Sequence, residues 1–172
     1  GEYEEHAVYT DVKVVGTYAF LVAGNKGVHI FDVSDINFPR KISVIESMDE
    51  SRAIDVKGFD LYVADGRGGV RIFDIRNKKK PKQISFIPTS QKSLNVMVSG
   101  DYCFVAEDRK GFRLIDISKP YFPYEISRWD KSEYVNSIEV IHGYAFFSDE
   151  KGILSLSISD NPDSLNEYKR IS

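Results

Sequence analysis

The feature that most constrains this chain is an internal repeat. A glycine that precedes a hydrophobic segment recurs with spacings of 42, 42 and 41 residues, at Gly27, Gly69, Gly111 and Gly152. A fixed period of this length is typical of similar structural units that stack against one another. The period therefore predicts a single domain over residues 1–172, with repeats at approximately 11–52, 53–94, 95–136 and 137–172.

Each repeat contains four short apolar segments of strand length. In the third copy they are 95–99, 102–106, 112–117 and 124–129. These segments are rich in β-branched and aromatic residues, and Gly, Pro, Asp or Ser residues separate them. No segment has the roughly 10–12 residues of 3.6-residue periodicity that indicate a helix. The sequence therefore predicts an all-β chain of four antiparallel, four-stranded meanders.

The strands themselves indicate how the meanders pack. Segments such as 19–23 and 28–31 are almost continuously apolar, which is typical of sheets covered on both faces. Radial packing of such sheets gives a β-propeller, and we expect four four-stranded blades. A sixteen-stranded sandwich is the alternative, but it explains the constant period less well. The propeller has three possible forms: a closed four-bladed ring, a segment of a larger propeller, or half of an eight-bladed dimer.

Composition narrows the possible partners. The net charge is −3 and the pI about 5.7, so no general affinity for nucleic acid is indicated. No apolar segment approaches the roughly 20 residues that span a bilayer, so direct membrane insertion is not expected. The single cysteine, Cys103, lies in an apolar segment and is interpreted as a small buried hydrophobe.

The most regular residues of the repeat have structural explanations. The repeated glycines, Gly27, Gly69, Gly111 and Gly152, precede the third strand at a turn. Three copies also end this strand with an aspartate, at Asp32, Asp74 and Asp116. Carboxylates in a ring can bind a cation such as Ca²⁺. An aspartate at a strand end, however, typically accepts hydrogen bonds from nearby backbone amides. Because the same local setting recurs in each copy, we expect a structural role and no metal site.

The search for chemistry finds no established catalytic motif. The chain lacks Gly-x-Ser-x-Gly, His-Glu-x-x-His, Cys-x-x-Cys and the phosphate-binding Gly-x-x-x-x-Gly-Lys-Ser/Thr pattern. The sequence therefore predicts no catalytic residue and no cofactor.

Candidate binding residues lie where the copies differ. In a propeller, the turns between second and third strands and the connections between blades share one rim, and such loops often carry binding residues. The turn candidates are Asp65, Arg67, Glu107, Asp108, Arg109, Asp149 and Glu150. The connection candidates are Arg52, Gln91, Lys92, Lys131 and Glu133. Their mixed charges suit a polar ligand or a peptide, and the alternative is an ordinary solvated surface.

Three copies resemble the LVIVD repeat, which names a family of β-propellers. The matching segments are AGNKGVHIFDVS (23–34), VADGRGGVRIFDI (63–75) and FVAEDRKGFRLIDISKP (104–120). The fourth copy differs, because Ser157 replaces the strand-end aspartate. The resemblance implies a bacterial or archaeal propeller protein, often exported or attached to the cell surface, and it supplies no catalytic motif.

These observations together predict a non-catalytic propeller that acts as a scaffold or binding module. The expected partner is a protein or a glycan, in an extracellular or cell-surface setting. One alternative is a propeller-type hydrolase or lyase acting on a sugar or lactone. Another is a purely structural repeat that oligomerises. The chain is expected to be a monomer, or a dimer that completes a propeller.

Overall fold

The regular structure of the chain consists of β-strands. A computed structural model describes residues 7–130, 134–135, 137–141 and 143–157, together with the backbone of 168–171. Within these residues every regular element is a strand. None of the residues that the structure describes belongs to a helix long and apolar enough to cross a membrane.

The described strands form four antiparallel sheets, each with four strands in chain order. Sheet 1 contains β1 (Asp11–Val15), β2 (Tyr18–Val22), β3 (Val28–Asp32) and β4 (Arg40–Ile45). Sheet 2 contains β5 (Ala53–Lys57), β6 (Asp60–Ala64), β7 (Val70–Asp74) and β8 (Lys82–Ile87). Sheet 3 contains β9 (Ser93–Ser99), β10 (Tyr102–Glu107), β11 (Gly111–Asp116) and β12 (Tyr124–Trp129). Sheet 4 contains β13 (Ser137–Ile141), β14 (Tyr144–Asp149), β15 (Gly152–Ser157) and β16 (Tyr168–Ile171). The predicted all-β chain of four antiparallel meanders is confirmed.

Consecutive sheets pack face to face through apolar clusters. We call the face that carries Val12, Ile54, Val96 and Ile138 the front face of sheets 1 to 4, respectively. The back face carries Val28, Val70, Phe112 and Ile153. At the first junction, Phe20 and Ile30 on the back of sheet 1 share a buried cluster with Leu61 and Phe73 on the front of sheet 2. Because one sheet cannot cover its own apolar faces, each sheet depends on its neighbour for burial.

The other two junctions repeat this arrangement. Tyr62 and Ile72 of sheet 2 share a cluster with Cys103 of sheet 3. Between sheets 3 and 4, Phe112 stacks on Phe147 with ring centroids 3.9 Å apart. Burying a side chain of this size contributes about 1.5–3 kcal/mol. The three clusters therefore hold the four sheets together in chain order.

A buried carboxylate also links the first strands of successive sheets. Strands β1, β5, β9 and β13 lie beside one another in that order. Asp55 on β5 pairs with Lys13 of β1, with Nζ 2.7 Å from Oδ1. Its other oxygen accepts a hydrogen bond from the Val98 amide of β9 at 2.7 Å. One side chain therefore connects three sheets.

Within the residues that the structure describes, sheet 4 does not cover the front of sheet 1. Ile54, Val96 and Ile138 are 4%, 3% and 4% exposed, because the preceding sheet covers each front face. Val12, the equivalent residue of sheet 1, is 57% exposed. The front of sheet 1 therefore lacks the cover that the back of sheet 4 would supply in a closed four-bladed ring.

The repeated glycines are required by backbone contacts. Gly69 has a φ of +69°, and a Cβ at this position would lie 2.5 Å from the Ile87 carbonyl oxygen. Gly27 has a φ of +78° and meets the Ile45 carbonyl in the same way. Both glycines allow the last strand of the sheet to approach the turn before the third strand. This contact explains the glycine at this position in sheets 1 and 2.

We predict that Gly69→Ala lowers the free energy of unfolding by about 2–4 kcal/mol, because backbone strain and overpacking act together. Gly58→Ala is the matched control, since Gly58 also has a positive φ of +60° but has open space around its Cβ position. The control is expected to cost about 1 kcal/mol. Urea denaturation measures both values. Equal losses in the two variants would contradict the role of the close contact.

Candidate ligand-binding rim

One edge of the structure gathers the segments that the sequence places on a rim. The Ser51 amide donates to the Gly24 carbonyl at 3.0 Å, and the Ser93 amide donates to the Gly66 carbonyl at 2.9 Å. These bonds join the connections before sheets 2 and 3 to turns between second and third strands. We call this edge the rim. It comprises the turns 23–27, 65–69 and 107–111 and the connections 46–52 and 88–92.

A buried ion pair supports the rim in sheet 2. Asp65 is completely buried, and its Oδ2 atom lies 3.0 Å from Nη1 of Arg71. The carboxylate also accepts hydrogen bonds from the Met48 amide at 2.8 Å and the Ser51 hydroxyl at 3.0 Å. The Ser47 hydroxyl is a further donor. The connection from sheet 1 to sheet 2 is therefore held in place by hydrogen bonds from three of its residues to one carboxylate.

The environment of Asp65 keeps it ionised. Burial by itself raises the pKa of this carboxyl group. Hydrogen bonds from the Met48 amide, the Ser47 hydroxyl, Arg71 and the Ser51 hydroxyl outweigh burial and hold the pKa below its usual value. A charged carboxylate with this many donors is a stable anchor for the backbone.

Sheet 3 contains the same device with a longer acid. Glu107 is completely buried and pairs with Arg113. It also accepts a hydrogen bond from the Ser90 hydroxyl at 2.9 Å. Arg113 reaches Glu125 at 2.9 Å and the Pro88 carbonyl at 3.2 Å. The connection from sheet 2 to sheet 3 is thereby held in place.

Sheet 1 has different residues at the two positions of this ion pair. Ala23 stands at the position of the acid, and His29 stands at the position of the arginine. The buried His29 ring shares a 3.0 Å hydrogen bond between Nδ1 and the Tyr9 hydroxyl. Burial and the nearby Lys41 lower the pKa of His29, which favours its neutral form. The rim support therefore varies with the repeat.

These contacts narrow the set of candidate binding residues. Asp65 and Glu107 are expected rim ligands, but both are completely buried and paired with arginines, so neither carboxylate faces a dissolved ligand. Their place in the fold is that of anchors beneath the rim. Their partners Arg71 and Arg113 are not among the residues predicted from the sequence. An available signal is that Asp65 and Glu107 are each followed six residues later by an arginine, whereas Ala23 is followed by His29.

The remaining candidates within the described residues are at least partly exposed, and several of them have local partners. Arg67 is exposed, and its amide donates to Asp49 at 2.8 Å. Arg52 pairs with Glu50 at 2.6 Å, and the Arg109 guanidinium lies 5.5 Å from the centre of the Tyr134 ring. Further along the chain, the Asp149 carboxylate accepts the Lys151 amide at 2.8 Å, and Glu150 is exposed. Lys131 and Glu133 lie outside the described residues.

A depression lies on the rim at the junction of sheets 1 and 2. Its volume is about 520 Å³. The charged residues that line it are Asp49, Glu50 and Lys26, so negative charge is in excess. Asn25, Thr10 and the exposed Val8 complete much of the wall. We call this site the acidic depression.

A second depression lies at the junction of sheets 2 and 3. Its volume is about 270 Å³, and its charged residues are Arg67, Lys92 and Asp108. Gln91, Ser90 and Thr89 complete the lining. We call it the basic depression, because positive charge is in excess.

The two depressions occupy the same position in successive repeats. Arg67, Gln91 and Lys92 of the basic depression are each 42 residues after Asn25, Asp49 and Glu50 of the acidic one. The backbone arrangement therefore repeats while the charge changes sign. Four of the predicted rim residues, Arg67, Gln91, Lys92 and Asp108, meet in one depression.

The strand-end aspartates lie at the other ends of the strands. Asp32, Asp74 and Asp116 each accept the amide hydrogen two residues ahead, at 3.0, 2.8 and 2.8 Å. Hydrogen bonds from the Ser34 and Ser118 hydroxyls, together with these amides, lower the pKa of Asp32 and Asp116, and the Arg76 amide lowers the pKa of Asp74. Over the described ranges, no three His, Cys, Asp or Glu residues are placed to hold a metal ion. The aspartates therefore act in turn formation, each in its own sheet.

The pattern of strands and turns agrees with a known repeat. The model of the LVIVD repeat matches residues 9–41, 50–86 and 91–131. The chain belongs to the LVIVD repeat family. Its three matched repeats correspond to sheets 1 to 3, and sheet 4 follows them. No curated protein matches the chain in sequence.

Solved structures support the fold of this LVIVD repeat protein. It is similar to the computationally designed protein Ika4, with a TM-score of 0.73 and 12% identity over 92% of this chain and 96% of Ika4. It is also similar to the computationally designed Ika8, with a TM-score of 0.72 and 7% identity. That match covers 92% of this chain and 48% of Ika8, so the chain spans about half the length of Ika8.

We predict that Asp65→Ala lowers the free energy of unfolding by about 3–5 kcal/mol, because it leaves Arg71 charged and buried without its carboxylate. Arg67→Ala is the control from the same turn. Its side chain is exposed, so a change within about 0.5 kcal/mol is expected. Chemical denaturation at neutral pH measures both. A loss below about 1 kcal/mol for Asp65→Ala would show that the buried pair does not hold the connection.

Proposed function

We propose that this protein is a non-catalytic binding module of the β-propeller type. In this proposal the four sheets are blades, and the rim binds a segment of a protein partner. The observation that carries the proposal is the pair of depressions at equivalent positions of successive repeats, one acidic and one basic.

The rim combines a fixed base with a variable surface. Beneath the surface, the pairs Asp65–Arg71 and Glu107–Arg113 hold the connections between sheets. Binding to such a fixed surface costs less conformational entropy than binding to mobile loops. The exposed side chains above this base differ from repeat to repeat. This arrangement is what a recognition surface requires.

The change of charge along the rim favours a polypeptide over a glycan. Asp49 and Glu50 suit a basic side chain, and Arg67 and Lys92 suit an acidic side chain. A polypeptide segment supplies both kinds of group. An acidic glycan would use only the basic depression. We therefore assign the rim to a polypeptide with a basic and an acidic residue.

The buried acids argue against the hydrolase or lyase alternative. A general acid or base must reach the substrate within hydrogen-bond distance. Asp65 and Glu107 are completely buried in ion pairs, so these two carboxylates do not reach a substrate on the rim. Recognition without catalysis is the function that these contacts support. We propose an extracellular or cell-surface setting for such a module.

Selection from a displayed library of random peptides tests the proposal. We predict that the wild-type protein selects peptides that carry both a basic and an acidic residue. The double variant Arg67→Glu, Lys92→Glu should bind these peptides about tenfold more weakly, which corresponds to about 1.4 kcal/mol. It should then favour peptides with a second basic residue in place of the acidic one.

The matched control is Lys79→Glu, Lys80→Glu, which makes the same charge change in the loop before β8. This loop lies at the ends of the strands opposite the rim, so peptide binding should be unchanged. Equal losses in both double variants would show a non-specific charge effect. Selection of no peptide, together with binding to an array of acidic glycans, would contradict a polypeptide partner.

A further inference from the structure

We infer that two copies of this chain complete one ring, in which the back of sheet 4 of each copy covers the front of sheet 1 of the other. The inference deepens the propeller part of the proposed function and rests on it. It does not involve the rim residues, so the two can fail separately.

The front of sheet 1 carries the apolar residues of a buried face, but none of the sheets that the structure describes covers it. Val12 and Val14 of β1 are both exposed. Their equivalents in the other sheets are Ile54 and Val56, Val96 and Val98, and Ile138 and Val140. The first residue of each of these pairs is buried, and the second packs against a core cluster. The exposure of Val12 and Val14 therefore comes from a missing neighbour and not from a polar sequence.

The back of sheet 4 is the corresponding exposed face at the other end. Ile153 is 45% exposed, whereas Val70 and Phe112 at the same position of sheets 2 and 3 are fully buried. Tyr144 is 50% exposed. Its equivalent Tyr18 packs against the cluster between sheets 1 and 2, and its equivalent Tyr102 packs against the cluster between sheets 3 and 4. The two exposed faces are therefore a back face and a front face, which are the two faces that pack against each other at each of the three junctions.

The charges at the two ends are complementary. At the first junction, Lys13 of β1 pairs with Asp55 at the equivalent position of β5. Glu139 is the residue at this position of β13, and it is exposed. A junction between sheet 4 and sheet 1 of a second copy would bring Glu139 beside the partner's lysine. Glu139 also occupies the position of Asp55, which accepts a backbone amide of the next sheet at 2.7 Å.

The length of a similar structure leaves room for a second set of sheets. The four sheets superpose on 48% of Ika8 with a TM-score of 0.72, so the remaining half of that chain is of similar length to this one. A second copy supplies such a half. Two copies related by a two-fold axis form two identical junctions and leave no face open. A head-to-tail contact that did not close would instead form an open fibre.

Light scattering with size-exclusion chromatography and analytical ultracentrifugation test the inference. The purified chain should have twice its mass of 19.6 kDa over a range of about 1 to 100 µM. The variant Val12→Asp should be monomeric or dissociate at least ~100-fold more readily, since it places an unpaired charge in both junctions. Because Val12 is exposed within a single copy, the circular dichroism spectrum should not change.

Val44→Asp is the matched control. Val44 lies on the front face of sheet 1 and is 41% exposed. Its equivalent in sheet 2, Phe86, is 46% exposed although sheet 2 has a neighbour on both sides. A junction therefore leaves this position in solvent, and the control should remain dimeric. Glu139→Lys should weaken the dimer by about tenfold or more through repulsion of Lys13, and Glu139→Gln by less.

Three results would overturn the inference. A monomer across the whole concentration range would show that the end faces are not covered by a second copy and leave them to further sheets of a longer chain. Assemblies larger than a dimer would show that the contact does not close. Equal dissociation by Val12→Asp and Val44→Asp would show that the front of β1 is not the contact. Peptide selection by the monomeric variant then measures rim binding independently.

Discussion

Every level of this structure depends on the packing of one sheet against the next. A four-stranded meander has two apolar faces and no means of covering either, so its stability depends on packing against a neighbour. The pairs Phe20 with Leu61, and Phe112 with Phe147, show how the back of one sheet meets the front of the following one. The 42-residue period records this requirement, because each copy must present the same two faces.

Polar groups have a different task in the same architecture. Asp55 ties the first strands of three sheets together, and Asp65 ties a whole connection to the sheet below it. Neither carboxylate is positioned for catalysis, because each one already binds a backbone amide and a basic side chain. The variable charges lie above these anchors, in the acidic and basic depressions. In the proposed binding role, structure and recognition use separate sets of residues that lie only a few positions apart in the sequence.

Much of this fold follows from the sequence by local arguments. The glycine before the third strand and the strand-end aspartates recur because a turn needs them, and the structure shows the contacts involved: the Ile87 carbonyl beside Gly69, and the Arg76 amide at Asp74. The burial of Asp65 and Glu107 is harder to anticipate. The sequence of a polar turn does not show whether its carboxylate faces solvent or pairs with an arginine six residues later. Ring closure is harder still, because it depends on the rotation between sheets, which no local pattern encodes.

The four sheets form one body that is held together by the packing of their faces. Urea unfolding followed by two probes tests this packing most directly. Trp129 is the only tryptophan of the chain, and it lies in the junction between sheets 3 and 4. Its fluorescence reports this junction, while far-ultraviolet circular dichroism reports the strands of all the sheets. If packing holds the sheets together, the two transitions coincide, as they do in cooperative unfolding. A fluorescence transition complete before the loss of strand signal begins would contradict it, because the sheets would then fold independently of their packing.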